Sequence, residues 1–292
     1  MPGEFDLIAR HFAHLTPPRA DVVLGVGDDA ALLAPTADHE LAIAVDTLIE
    51  GVHFFPDCPP AALGHKALAV NLSDLAAMGA QPAWAVLALA LPRADDTWLG
   101  GFARGLGDLA REHGVALVGG DTCRGPLVVS ITVLGQVPRG QALRRTGARP
   151  GDGVYVSGEL GAAGLAVRAR RGELVLPAAL AAHAAQRLDW PQPRLALGLA
   201  LRGVASAVID VSDGLLADLG HICVAGGVGA RLDLPALPLP AAALAVATQD
   251  ELLGSGDDYE LCFTVPSAHE DALPALAGRL GVPLARIGQI TA

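Results

Sequence analysis

Aromatic residues and cysteine motifs are scarce in this chain of 292 residues. Aromatic residues make up 4% of the sequence, and the 52% hydrophobic content comes mainly from Ala, Leu and Val. This composition is typical of a globular α/β protein and argues against a disordered or fibrous chain. The cysteines form no CxxC or CxH pattern, so we expect free thiols in a reducing compartment and no zinc site. They are Cys58, Cys123, Cys223 and Cys262.

Basic runs are also missing, and nothing in the sequence predicts a membrane segment. The formal net charge is −11, and basic residues gather only at residues 144–145 and 168–171. An acidic protein of this kind is a poor nucleic-acid binder, although it can bind nucleotides if cations screen its carboxylates. The uncharged stretch at residues 234–249 is too short for a membrane span and contains three prolines. The first residues include acids and no apolar signal core, so we expect a soluble, cytoplasmic protein.

Three widespread enzyme motifs are absent as well. The sequence has no P-loop GxxxxGK[ST], no GxGxxG after a strand and no GxSxG. The segment GELGAAGLAV, which begins at Gly158, could face a phosphate or could simply allow a helix to pack closely on a sheet. Cys123 has no partner histidine nearby in the sequence. No covalent nucleophile is therefore predicted.

Runs rich in Val and Ile alternate with longer Ala/Leu patterns, which predicts an α/β or α+β fold. Strands are predicted at residues 22–26, 41–45, 84–91, 115–118, 127–137, 154–157, 207–211, 231–234, 261–265 and 285–290. Helices are predicted at residues 4–12, 60–78, 97–113, 162–171, 214–225 and 267–280. The Arg-Pro-Gly-Asp-Gly cluster after Ala148 is a strong turn signal. It predicts two domains, residues 1–148 and 149–292.

Seven aspartates lie in short Gly- or Ser-bearing turns or at strand ends within apolar sequence. A carboxylate is costly to bury unless a positive group meets it. Carboxylates without a Cys or His cluster favour Mg²⁺ over Zn²⁺. If these aspartates converge, they predict a magnesium site for a phosphate-bearing substrate. They are Asp28, Asp29, Asp46, Asp74, Asp121, Asp210 and Asp213.

Several of these aspartates have simpler interpretations when taken singly. Asp46 is predicted where a strand ends, which is where α/β proteins bind ligands, but it could also cap the next segment. Asp121 follows two glycines that would let the backbone approach a phosphate, and it could equally belong to a hairpin turn. The adjacent Asp28 and Asp29 fit a solvated turn after Gly27.

The segment IDVSDG, with Ser212 between Asp210 and Asp213, is the least like an ordinary turn. It predicts a strand, a sharp turn and a helix N-terminus whose free amides could bind an anion. The segment NLSDLAAMG, which holds Asp74, also places Ser-Asp before an apolar helical pattern, as two ordinary helix caps would.

The order of its motifs makes this chain resemble the thiamine-monophosphate kinase family, in the superfamily of aminoimidazole ribonucleotide synthetase. The resemblance runs from Gly3 to the end of the sequence. The blocks that carry it are GEFDLIARHF, GVGDDAALL, VDTLIEGVHF, NLSDLAAMGA, GGDTCRGP, RRTGARPGD, IDVSDGLLADLGHI and SGDDYELCF.

The resemblance implies ATP-dependent phosphorylation of thiamine monophosphate to thiamine diphosphate, with several Mg²⁺ ions and no covalent phosphoenzyme. It implies the two-domain α/β (α+β) fold of that superfamily. The N-terminal domain would bind Mg·ATP and form a homodimer through a barrel of strands, and the C-terminal α/β domain would complete the active site. No nucleic-acid or membrane partner is implied.

The resemblance also assigns residues. The metal ligands would be Asp29, Asp46, Asp74, Asp121, Asp210 and Asp213, with Asp28 as a neighbour that assists. ATP would contact Gly120, Asp121, Arg145 and Ser212. The substrate would contact His53 and Asp257, where Asp257 stands in place of the glutamate common in the family. Taken alone, His53 is equally consistent with a core histidine and Arg145 with a surface side chain.

Two other functions stay open at this point. One is a different ATP-dependent enzyme of the same superfamily, for instance one that activates an amide oxygen. The other is a non-catalytic dimer that binds Mg·ATP. Formation of thiamine diphosphate from ATP and thiamine monophosphate would separate these possibilities.

Overall fold

A computed structural model of the protein describes residues 4–292, which form two compact units. The first unit comprises the chain up to Leu75 together with Gln81–Gly140, and the second comprises Ala76–Ala80 and Gln141–Ala292. The boundary near Ala148 and the roles assigned to the two domains stay predictions.

The first unit combines helices with a two-stranded and a four-stranded sheet. Its helices are α1 (Glu4–His11), α2 (Pro60–Ala77, whose last residues belong to the second unit) and α3 (Asp96–Glu112). Its strands are β1 (Val22–Leu24), β2 (Leu32–Leu33), β3 (His39–Ile49), β4 (Gln81–Leu91), β5 (Ala116–Arg124) and β6 (Val128–Pro138). The larger sheet has the order β3-β6-β4-β5, in which only the β4–β5 pair is parallel.

Glycine allows α2 and α3 to pack closely. A Cβ on Gly105 would lie 1.9 Å from the carbonyl oxygen of Ala61, and one on Gly64 would lie 2.1 Å from that of Phe102. Both distances are far below van der Waals contact, so the two backbones approach each other only because these positions lack side chains. Strand β6 is central in the sheet and alternates buried and half-buried residues along its length, as expected for a β-branched run.

The second unit surrounds a five-stranded sheet of order β8-β10-β7-β11-β9, in which neighbouring strands are antiparallel. Its strands are β7 (Gly153–Ser157), β8 (Ala207–Val211), β9 (Gly229–Leu232), β10 (Glu260–Val265) and β11 (Leu284–Thr291). Its helices are α4 (Ala162–Arg170), α5 (Ala178–Asp189), α6 (Leu195–Ala200), α7 (Leu215–Gly226), α8 (Gln249–Leu253) and α9 (Leu273–Leu280). Apolar side chains of β7 and β8 pack with Leu215 and Ile222 of α7 in its core.

The structure confirms the mixed α/β class and most predicted elements, with three kinds of difference. Strands β3 and β5 extend well beyond the predicted ends, to Ile49 and Arg124. The helix predicted at residues 267–280 is a 3₁₀ turn followed by α9, which starts with a proline in its first turn. The elements that were not predicted are β2, α5, α6 and α8. Within residues 4–292, no helix combines the length and apolar character needed to cross a membrane.

Candidate active site

A cavity of about 700 Å³ in the first unit brings four of the predicted site residues together. Asp28 and Asp29 border it from the loop between β1 and β2, and Gly120 and Asp121 border it from β5. All four are exposed, and the backbone N–H of Asp29 donates to Oδ1 of Asp28 over 2.8 Å. The remaining wall includes apolar residues of β4 and β5. A cavity of this size is typical of small-molecule sites.

Gly120 is required where it stands. Its φ is +155°, and a Cβ there would lie 1.9 Å from the carbonyl oxygen of Leu87 on β4. The parallel register also shifts near Gly119, opposite Val86, so β5 is irregular just before the acid. The expectation that Asp121 follows the strand or forms a hairpin turn is wrong, because β5 continues to Arg124 and pairs Asp121 with Ala88.

Asp46 lies inside β3 and not at its end, so the predicted placement at a strand terminus or helix cap is wrong. Its backbone N–H donates to Oδ1 of Asn71, a fully buried residue of α2, over 2.9 Å. Burial raises the pKa of the Asp46 carboxyl, and the charge of the nearby His53 partly opposes this increase.

His53 is exposed in the turn that follows β3, which excludes the alternative of a core histidine. The backbone N–H of Ile49 donates to its Nδ1 over 3.1 Å. Because Nδ1 accepts this bond, the ring proton of the neutral side chain resides on Nε2. The residue of this turn that enters the core is Phe54.

Asp74 is half-buried in the last turns of α2, so the expectation that Ser-Asp begins a helix there is wrong. It lies three residues after Asn71, and residues at that spacing share a helix face. Asn71 faces β3 through its bond to Asp46. The helix period therefore directs Asp74 toward the same side of α2 as the residue that contacts the Asp46 backbone.

The predicted strand–turn–helix at IDVSDG is confirmed. Asp210 is buried near the end of β8, and the turn passes through half-buried Ser212 and exposed Asp213 to α7. Two amides of this turn are not free, because the N–H groups of Ser212 and Asp213 each donate to Oδ2 of Asp218 over 3.0 Å. An anion at this turn would have to use other donors.

Asp257 is brought to the same turn by its own loop. Its N–H donates to the carbonyl oxygen of Ser212 over 2.9 Å, and the N–H of Tyr259 donates to that of Val211, also over 2.9 Å. Asp257 and Tyr259 both have positive φ, at 67° and 51°, which is uncommon for residues with side chains. The Tyr259 hydroxyl donates to Oδ1 of Asp257 over 3.1 Å.

Arg145 is exposed, in a segment that runs beside β8. The carbonyl oxygen of the preceding residue, Arg144, accepts a bond from the N–H of Val208 over 2.9 Å. A Cβ on Gly147 would lie 2.3 Å from the carbonyl oxygen of Ser206, so this segment lies tightly against the start of β8. Arg145 thus extends from a segment fixed to the strand that carries Asp210.

Sequence reasoning missed a buried ion cluster around Glu260. Both oxygens of this fully buried carboxylate are bound: Ser157 Oγ donates to Oε2 over 2.6 Å, and Arg187 Nη2 donates to Oε1 over 2.6 Å. Arg194 adds a bidentate contact at 2.6 Å and 2.5 Å. Burial alone would lower the pKa of Arg194, but the hydrogen bonds and charge of Glu260 outweigh it and raise the pKa.

Asp258 shows why the Gly-rich opening of α4 is a packing feature. Its fully buried carboxylate accepts the N–H of Gly161 at 3.0 Å and 2.9 Å, so the first amide of the helix is already satisfied. Burial raises the pKa of Asp258 well above its usual range, and the bond from Gly161 opposes this. A Cβ on Gly164 would lie 2.2 Å from that of Ser255. The alternative of a phosphate contact at Gly158–Gly164 is therefore not favoured.

The donor chemistry of the predicted metal ligands fits Mg²⁺. In the described part of the chain, no three His, Cys, Asp or Glu side chains are arranged to hold a metal ion by themselves. Mg²⁺ does not need such a cage, because it is usually bound through one or two carboxylates together with water and substrate phosphates. Asp28, Asp29 and Asp121 offer such carboxylates at one cavity. That all seven aspartates serve as ligands stays a prediction.

Two family models match this chain. Residues 27–137 match the N-terminal domain of AIR synthase related proteins, and residues 149–292 match the C-terminal domain. The thiamine-monophosphate kinase of Salmonella typhimurium is 50% identical over 296 residues, which cover 99% of this chain and 91% of that protein.

Solved structures give the same assignment. The thiamine-monophosphate kinase from Stenotrophomonas maltophilia superposes with a TM-score of 0.88 at 50% identity, covering 94% of this chain and 89% of that one. The structure of AaThiL complexed with AMPPCP and TMP superposes with a TM-score of 0.78 at 28% identity, covering 88% and 82%. This chain belongs to the thiamine-monophosphate kinase family, within the AIR synthase related proteins.

Proposed function

We propose that this chain transfers the terminal phosphoryl group of ATP to thiamine monophosphate, with thiamine diphosphate and ADP as products. The observation that carries the proposal is 50% identity along 99% of the chain to a thiamine-monophosphate kinase. The structure named as a complex with AMPPCP and TMP adds support for both substrates. The acid-bordered cavity of the first unit supplies a place of suitable size.

The transfer is direct. An oxygen of the thiamine monophosphate phosphate bonds to the terminal phosphorus of ATP while the bond from that phosphorus to the bridging oxygen breaks, and ADP leaves with the electron pair. The attacking oxygen is already ionised near neutral pH, so no general base is required. Catalysis then depends on positioning and on charge stabilisation.

The carboxylates would hold the metal. Bound Mg²⁺ supplies positive charge that reduces the repulsion between the two anionic phosphates. Asp28, Asp29 and Asp121 present their carboxylates at the cavity, while the backbone of Asp46 is anchored by Asn71. The proposed ligands are Asp29, Asp46, Asp74, Asp121, Asp210 and Asp213, with Asp28 in support.

The proposed substrate contacts use the backbone and side-chain groups that each residue can offer to a ligand. Gly120 borders the cavity and would present its backbone there to a phosphate, and Arg145 can pair with phosphate oxygens. Ser212 would use its hydroxyl, because its N–H is bound to Asp218. His53 would offer Nε2–H to thiamine monophosphate, and Asp257 would offer its carboxylate.

The test is an assay for thiamine diphosphate, with purified chain, ATP and thiamine monophosphate. We expect product only with Mg²⁺ present, and none from unphosphorylated thiamine. Incubation with γ-labelled ATP alone should leave no label on the protein. Failure to form thiamine diphosphate at saturating Mg·ATP would reject the proposal. If calorimetry then detected Mg·ATP binding, the non-catalytic dimer or another superfamily enzyme would be favoured.

We also propose that the chain forms a homodimer through β3. This eleven-residue strand lies at an edge of its sheet and exposes an apolar row, Leu41, Ile43 and Val45, of which Ile43 is 62% and Val45 is 59% exposed. A long apolar edge strand is a liability in a monomer. A second copy that pairs with the same strand would cover the row and satisfy the edge.

A charge placed in this row should dissociate the dimer. We expect the double variant Ile43→Lys, Val45→Lys to be monomeric at micromolar concentration by light scattering, because dimer formation would bury uncompensated ammonium groups from both chains. Val175→Lys is the matched control, since Val175 is 91% exposed in the second unit. Equal masses for the double variant and the unsubstituted chain would contradict the proposal.

A further inference from the structure

The turn between β8 and α7 is held in place by the protein itself. Its backbone bends at Gly214, which has φ +107°. A Cβ on Gly214 would lie 2.9 Å from the carbonyl oxygen of Leu253, so this residue is also enclosed by the neighbouring chain. The turn carries the exposed side chain of Asp213 and the half-buried side chain of Ser212.

Asp218 binds two backbone N–H groups of this turn. It is 2% exposed in the first turns of α7, and its Oδ2 accepts the N–H groups of Ser212 and Asp213, each at 3.0 Å. A carboxylate near a helix N-terminus is also favoured by the helix dipole. One oxygen therefore fixes two consecutive peptide units.

The loop before β10 binds a backbone carbonyl oxygen of the same turn. Ser212 accepts a bond from the N–H of Asp257, and a Cβ on Gly256 would lie 2.2 Å from the same carbonyl oxygen. Asp218 takes the amides of Ser212 and Asp213 and this loop takes the Ser212 carbonyl, so these two residues would meet a ligand through their side chains. Their direction is set by the peptide planes that Asp218 holds.

We propose that Asp218 is a positioning residue, which holds the Ser212–Asp213 turn in its ligand-binding geometry before any ligand arrives. The inference rests on the proposed function for the roles of Ser212 and Asp213. The effect of Asp218 on the order of the turn is independent of that function, because it can be measured in the protein without metal or nucleotide. Asp218 would act through the backbone of Ser212 and Asp213 and not by touching the substrates.

The first measurement is hydrogen exchange of the Ser212 and Asp213 amides in the protein without Mg²⁺ or ATP. Asp218→Leu keeps the approximate size of the side chain but removes both acceptors, so we expect both amides to exchange at least about tenfold faster. Because both bonds reach a single oxygen, Asp218→Asn can place its carbonyl oxygen there and should keep the protection. Unchanged exchange in Asp218→Leu would overturn the proposal.

The second measurement is the Mg²⁺ concentration that gives half-maximal phosphoryl transfer. We expect an increase of at least about tenfold in Asp218→Leu, a smaller loss of kcat at saturating Mg²⁺, and near-normal values in Asp218→Asn. If Asp218→Leu does not fold, Asp218→Ser carries the same expectations, since its hydroxyl is too short to reach both amides.

The matched control is Asp95→Leu. Asp95 is the N-cap of α3 and accepts the N–H groups of Thr97 and Trp98, so it makes the same kind of bonds away from the proposed site. This variant should lose stability without a change in the Mg²⁺ requirement. If the half-maximal Mg²⁺ concentration rose equally in the Asp95 and Asp218 variants, Asp218 would be a structural residue only, and the proposal would be overturned. Absence of thiamine diphosphate from the unsubstituted chain would instead reject the proposed function and leave the exchange result standing.

Discussion

Asp46→Asn, Asp74→Asn and Asp210→Asn should each lower turnover by about 100-fold or more, equivalent to about 2.7 kcal/mol of transition-state stabilisation. Asparagine has nearly the same shape as aspartate but lacks the charge with which the proposed ligands would hold Mg²⁺ against two phosphates. The fold should survive in Asp46→Asn, because the observed contact of Asp46 with Asn71 is made by its backbone N–H and not by its carboxylate. The measurement is thiamine diphosphate formation across a Mg²⁺ titration, with circular dichroism to verify folding.

Two exposed aspartates provide controls for this series. Asp108 lies on α3, where it pairs with Arg111 at the surface, and Asp233 lies after β9. Asp108→Asn and Asp233→Asn remove the same charge from the same two units and should retain nearly full turnover. Near-normal activity of all three site variants at saturating Mg²⁺ would refute the metal-ligand assignment.

Glu260→Gln should lower the free energy of unfolding of the second unit by about 3–5 kcal/mol, because removing one partner of a buried ion pair leaves uncompensated charge. Here two guanidinium groups, of Arg187 and Arg194, would lose the carboxylate that both contact. Glutamine can still accept the bond from Ser157, so the expected loss comes from charge and not from volume.

The measurement for Glu260→Gln is urea-dependent hydrogen exchange of the β7, β8 and β10 amides, which reports the free energy of opening of that sheet. Glu112→Gln is the control, since Glu112 is exposed at the end of α3. A loss below about 1 kcal/mol for Glu260→Gln, within the range of exposed ion pairs, would contradict the expectation.

Local pattern was sufficient to predict most of the elements but not where two strands end. Strands β3 and β5 were predicted too short because the continuous apolar runs stop at Asp46 and at the Gly119–Gly120 pair. Both strands continue through polar residues because their backbone groups pair with β6 and β4 across the sheet. Such pairing depends on a partner strand that is distant in sequence, which periodicity does not report.

The buried acids show the same limit. Asp218 had a usable signal, since it follows the IDVSDG turn at the spacing of a first-turn carboxylate. Glu260 had none, because its partners Ser157, Arg187 and Arg194 are separated from it by 66 to 103 residues. Its residue type and position in DDYELCF are equally typical of an exposed acidic loop.

By itself, the sequence determined the mixed α/β class and the family, because residue type and local order encode both, and it predicted a set of acids for Mg²⁺ that stays a prediction. Only the tertiary structure decided which polar groups are already satisfied. The amides of Ser212 and Asp213, in the turn between β8 and α7, looked available to an anion until the fold placed Asp218 against them. A buried donor or acceptor is free or occupied according to its neighbours in space, and folding alone selects those neighbours.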